Sequence, residues 1–121
     1  MESPLQQKSF QFALQIIKLS RYIKERYSEF DIARQVLKSG TSIGANIREA
    51  KNAQSAMDFI SKLSIALKEA DETQYWLDLI HASDMMPDTD YLIANKDLKE
   101  LIAMLVSSIK TKKSNHENTN S

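Results

Sequence analysis

Apolar residues recur along this chain at three- and four-residue steps, the period of one face of an α-helix. Leu5, Phe12, Ile16, Leu19, Ile23 and Tyr27 form a first stripe. Ile32, Val36, Leu37, Gly40, Ile43, Gly44, Ile47 and Ala50 form a second. Phe59, Leu63, Ala66, Leu67, Ala70, Gln74, Leu77 and His81 form a third, widened by Trp76, Leu79 and Ile80. Leu92, Asn95, Leu98, Ile102, Leu105 and Ile109 form a fourth. The spacing predicts helices at about 4–26, 30–53, 56–85 and 89–112, within one unit over 1–112. No stretch alternates with the period of a strand, and no internal repeat is visible.

Punctuation along the chain agrees with these bounds. Ser3 is a good N-cap, and Pro4 suits the first turn of a helix. Tyr27 to Asp31 reads as a turn. Ser55 with Asp58 three residues on is a weaker form of the capping box. Pro87 ends the third segment, and Asp88, Thr89 and Asp90 suit the start of a fourth. Residues 113–121 are polar and read as a disordered tail. Four amphipathic helices with short connections pack most simply as an antiparallel up-down-up-down four-helix bundle, an all-α fold.

The second stripe contains an oddity. Both glycines of the chain, Gly40 and Gly44, fall inside it, among Ser39, Thr41 and Ser42. Each costs a helix about 1 kcal/mol relative to alanine. Three readings compete. The helix runs through, and the glycines admit a close neighbour. Alternatively it breaks, with Asn46 and Glu49 as a fresh capping box. Or the glycines cradle a phosphate, although the lysine such loops carry is not at the required spacing. The shared face with Ile43 and Ile47 favours close packing.

Composition narrows function by exclusion. Two glycines and two prolines in 121 residues are too few for a fold of many turns. The absence of cysteine removes disulfides and thiolate metal sites. The longest apolar run, LIAMLV at 101–106, is far short of a membrane span. The first residues lack the pattern of a signal peptide, so the expectation is a cytoplasmic protein with no membrane partner. Net charge is zero, but residues 1–60 hold nine basic and six acidic side chains, and residues 61–121 seven and ten. Nucleic-acid binding usually comes with a basic excess, so a nucleic-acid partner is disfavoured. Its candidate contacts would be Arg48, Lys51, Lys62 and Lys68, for which a solvated helix face is the default.

Candidate chemistry is sparse. A di-metal bundle needs several core glutamates and two Glu-x-x-His pairs. Asp78-x-x-His81 is a single echo, and the other histidine, His116, lies near the end. No nucleophile, histidine and acid suggest a triad. The expectation is no catalytic, cofactor or metal site. Asn46, Glu49, Glu69 and Glu72 could make a polar site on paired helices, but an interhelical hydrogen-bond network is the preferred reading. Tyr75 and Trp76 could stack on bases, though core or interface packing is favoured.

SIGANIREA, followed by DFISKLSIALKEADETQYWLDLI, resembles the four-helix-bundle family of 23S rRNA intervening-sequence proteins. Ser42, Ile43, Ala45, Asn46, Ile47 and Glu49 match its S-I-x-A-N-I-x-E-G pattern, with Ala50 in place of the closing glycine. Ala66 to Ala70, Glu72, Thr73, Tyr75, Trp76 and Leu77 match a second, A-L-K-E-A-x-E-T-x-Y-W-L. The resemblance spans roughly residues 5–112. It implies an antiparallel bundle assembling as a homopentameric ring. It also implies kinship with an accessory protein of diversity-generating retroelements that binds nucleic acid and a reverse transcriptase, and is strongly basic where this chain is neutral. The expected role is a non-enzymatic assembly module. Ile60, Ile65, Trp76 and Leu79 lie partly off the main core face, and apolar residues of helices two and three would be buried between subunits. An RNA- or DNA-binding accessory protein is the alternative.

Overall fold

The computed structural model describes residues 3–120. Ser3 caps α1 (Pro4–Tyr27) in a full capping box: its hydroxyl accepts from Gln6 N–H, and the Gln6 side chain accepts from Ser3 N–H. The chain turns through Ser28, in the left-handed region at φ 54°, and Glu29 caps α2 (Phe30–Lys51). Ser55 caps α3 (Ala56–Ala82) by accepting from Asp58 N–H at 3.0 Å. The third helix stops before the expected Met85 because Asp84 takes the left-handed conformation, and Met85 N–H returns to the Ile80 carbonyl. Met85 and Met86 then fold inward and close that end of the core. The last helix, α4, runs Asp88–Asn120.

Each helix packs against the next in sequence, which makes an antiparallel up-down bundle; α1 and α4 close the ring of four with the thinnest seam. The core is a column of Phe12, Ile16 and Ile23 from α1, Val36, Ile43 and Ile47 from α2, Leu63 and Leu77 from α3, and Leu98, Leu101 and Leu105 from α4. No described helix is long and apolar enough to cross a membrane.

Three expectations need correction. Residues 113–120 are helical; residue 121 lies outside the described residues. No glycine or proline follows Pro87, and extending an existing helix is cheaper than nucleating one. Leu92, counted in the fourth stripe, is 63% exposed. It precedes Leu98 by six residues, which at about 100° per residue turns it some 120° from the core face. Ile60, expected off the core, is buried within the subunit.

The helix through the glycines is continuous, and both have ordinary helical φ. The break at Asn46 and the phosphate loop are therefore excluded. Gly40 is buried against Ile16, where an added Cβ would stand 2.8 Å from Ile16 Cγ2. Nearby hydroxyls bond within their own helix: Thr41 to the Leu37 carbonyl at 2.7 Å, Ser42 to the Lys38 carbonyl at 2.6 Å. Their donors are satisfied without breaking the backbone ladder.

Candidate interaction face of the second and third helices

The motif residues of α2 and α3 sort into an inner and an outer set. Ile43 and Ile47 are core. Ser42, Asn46 and Glu49, at steps of four and three, follow an outer edge of α2. Ile65, Glu69, Glu72, Trp76 and Leu79, at alternating steps of four and three, follow an outer edge of α3. Glu49 meets Lys62 at 3.7 Å, and Thr73 Oγ1 lies 2.9 Å from Ser39 Oγ. These crossings set the antiparallel register and place both edges along one side of the α2–α3 pair.

The four polar residues read as one site or network do not join. Asn46 donates to the Ser42 carbonyl of its own helix at 2.9 Å. Glu49 turns to Lys62. Glu69 is half-buried, and its carboxyl is pushed above the ordinary carboxylate range, first by burial and then by the charge of Glu72. The hydrogen bond that does cross between these helices is the buried Thr73–Ser39 pair. It sits one position from the polar residues singled out in the sequence, and two small hydroxyls on an apolar stripe gave little signal.

Trp76 packs its ring on the core and holds an edge-to-face contact with Tyr75, centroids 5.0 Å apart. Its indole N–H is buried with no hydrogen-bond partner among the described residues. Tyr75 and Ile65 are exposed. The chemistry of this face is thus two adjacent carboxylates and apolar surface.

The basic residues do not make a continuous cationic surface. Arg48 and Lys51 occupy the last turn of α2. Lys62 is paired with Glu49, and Lys68 stands beside Glu69. The residues that echoed a metal site do something else. His81 Nε2 is 2.8 Å from Asp88, and the ring stacks on Tyr91 at 4.0 Å. Tyr91 donates to Asp78 at 2.7 Å, and Gln74 donates to both Asp78 and Asn95. This network sews α3 to α4. Among the described residues no three His, Cys, Asp or Glu side chains gather as metal ligands would.

A second surface escaped the sequence reading. Between the outer sides of α1 and α2 runs a groove with one cavity of about 340 Å³, lined in part by Phe10, Ala13, Gly44 and Ala45. A neighbouring cavity of about 510 Å³ includes Ile17, Arg21 and Leu37, and Thr41 borders both. Phe10 and Leu14, one turn apart, are 51% and 41% exposed beside it. Spacing alone could have grouped them, since Phe10, Leu14, Ile17 and Arg21 share one helix face.

The sequence profile of the 23S rRNA-intervening sequence protein family matches residues 2–107. A similar solved structure is that of a protein of unknown function from the S23 ribosomal protein family of Bacteroides thetaiotaomicron VPI-5482. It is 47% identical, aligns over 88% of this chain and 98% of its own, and superposes with a TM-score of 0.86. No curated protein matches.

Proposed function

The chain belongs to the 23S rRNA-intervening sequence protein family, and on that premise we propose that it is a non-enzymatic assembly and binding module whose subunits close into a homo-oligomeric ring through the outer face of α2 and α3. One observation carries the reading. The α3 edge combines exposed Ile65 with the adjacent carboxylates Glu69 and Glu72. Exposed apolar surface beside carboxylates suits a contact with a second subunit. The family resemblance supports five as the subunit number. An accessory role on RNA or DNA has less support, because the basic side chains nearby are interleaved with acids.

Sedimentation equilibrium at micromolar concentration tests the proposal. The expected mass is near five times the 13.8 kDa subunit. A species that stays at the subunit mass would refute the ring and leave the face to a different partner.

A further inference from the structure

We propose that the contact is head-to-tail: Glu72, Trp76 and Leu79 on the α3 edge of one subunit dock into the α1–α2 groove of a second copy, against Arg21, Ile17 and Leu14. This rests on the oligomeric reading above: it keeps the α3 edge as one half of the interface and adds the α1–α2 groove as the surface that edge meets.

Charge selects the pairing. Between Glu2 and Glu25 the first helix carries Lys8, Lys18, Arg21 and Lys24 and no acid. Between Lys68 and His81 the third carries Glu69, Asp71, Glu72 and Asp78 and no base. Lys8 is already engaged with Asp97 and Glu100 on α4. Arg21 and Glu72 are exposed, and neither has an ion-pair partner among the described residues. A like-charged juxtaposition of two α3 edges would oppose a symmetric contact, whereas unlike faces attract.

Spacing matches as well as sign. Counting back along α1, Arg21, Ile17 and Leu14 fall at steps of four and three. Counting forward along α3, Glu72, Trp76 and Leu79 fall at the same steps. Two antiparallel helices therefore bring Arg21 to Glu72, Ile17 to Trp76 and Leu14 to Leu79, each about one turn or less from the next. Where Arg21 and Ile17 line it, the groove is a cavity of about 510 Å³ bordered by Ser20, Leu37 and Thr41, with room for such a ridge.

Because the two docking surfaces differ, the contact is heterologous, and such contacts generate rings when the rotation closes.

The test is charge reversal read by sedimentation equilibrium, with circular dichroism to verify helicity. Arg21→Glu and Glu72→Arg are each expected to raise the concentration for half-assembly by about tenfold or more, equivalent to about 1.4 kcal/mol. The Arg21→Glu/Glu72→Arg pair is expected to restore assembly. An oligomeric wild type whose mass ignores all these changes, or a double reversal that fails to recover, would overturn the head-to-tail docking and leave the ring standing. A monomeric wild type would overturn both.

Discussion

Gly40 and Gly44 lie one turn apart on α2, yet they meet α1 differently. At Gly40 a new methyl would press on Ile16, which is fully buried and has no room to yield. Gly40→Ala should therefore lose stability despite its better helix propensity, by about 1–3 kcal/mol, the usual range for overpacking. At Gly44 the same methyl meets Ser9 at an ordinary distance, so propensity governs and Gly44→Ala should be neutral or gain up to about 1 kcal/mol. Urea unfolding of the two variants at equal concentration checks the contrast. A melting temperature for Gly40→Ala above that of wild type would end the close-packing account. The sequence made the glycine pair conspicuous. Which glycine faces a rigid side chain depends on the rotation of α2 against α1, and spacing along one helix does not specify that.

Among the helix pairs, the α1–α4 seam is the thinnest and is held by polar groups. Lys8 Nζ lies 2.6 Å from Glu100 and 3.6 Å from Asp97, and Gln15 donates to Asp97 at 2.7 Å. The hydrogen bond to Glu100, against a smaller cost of burial and aided by Asp97, raises the Lys8 amine above its ordinary value of 10.5. A group whose pKa is raised on folding stabilises fully below its unfolded value and loses that contribution as pH climbs through the folded one. The seam should thus weaken above about pH 10.5 and not at neutral pH. Tyr91 is shifted upward too, chiefly by its hydrogen bond to Asp78, so it adds a loss of the same sign in the alkaline range. The difference between wild type and Lys8→Met isolates the lysine. Urea midpoints of the pair should converge as pH is raised from about 8 to 11; a constant difference would show that the clasp contributes through packing alone. Lys8, Gln15, Asp97 and Glu100 carry no pattern in one dimension, because two of them come from each end of the chain.

Over the whole molecule, equal numbers of acidic and basic residues set the expectation for nucleic acid. Binding through phosphates releases counterions and scales with the number of cations presented together. Here Lys62 is paired with Glu49, Lys68 adjoins Glu69, and nine acids lie between Glu69 and Glu100. Random-sequence RNA should bind weakly at near-physiological salt in an electrophoretic shift assay, with a shallow salt slope. Submicromolar, strongly salt-dependent binding would reverse this and turn attention to Arg48, Lys51, Lys62 and Lys68.

Read alone, the amino-acid order determined the class of fold, the four helices, most of their ends and the core face of each. Those properties are local: they depend on period, caps and prolines, which act within a few residues. It misplaced Leu92 and Ile60 because a stripe is defined only to within one helix rotation until its neighbours fix which side faces inward. It also ended α4 early, since polar composition signals solvent exposure and does not by itself stop a helix. Only the packed bundle decided that α2 runs unbroken through its glycines, that His81 joins α3 to α4, and that an acidic apolar edge and a basic groove lie on separate sides of one subunit. Those features depend on distances between residues far apart in sequence, which only the folded chain brings to defined values.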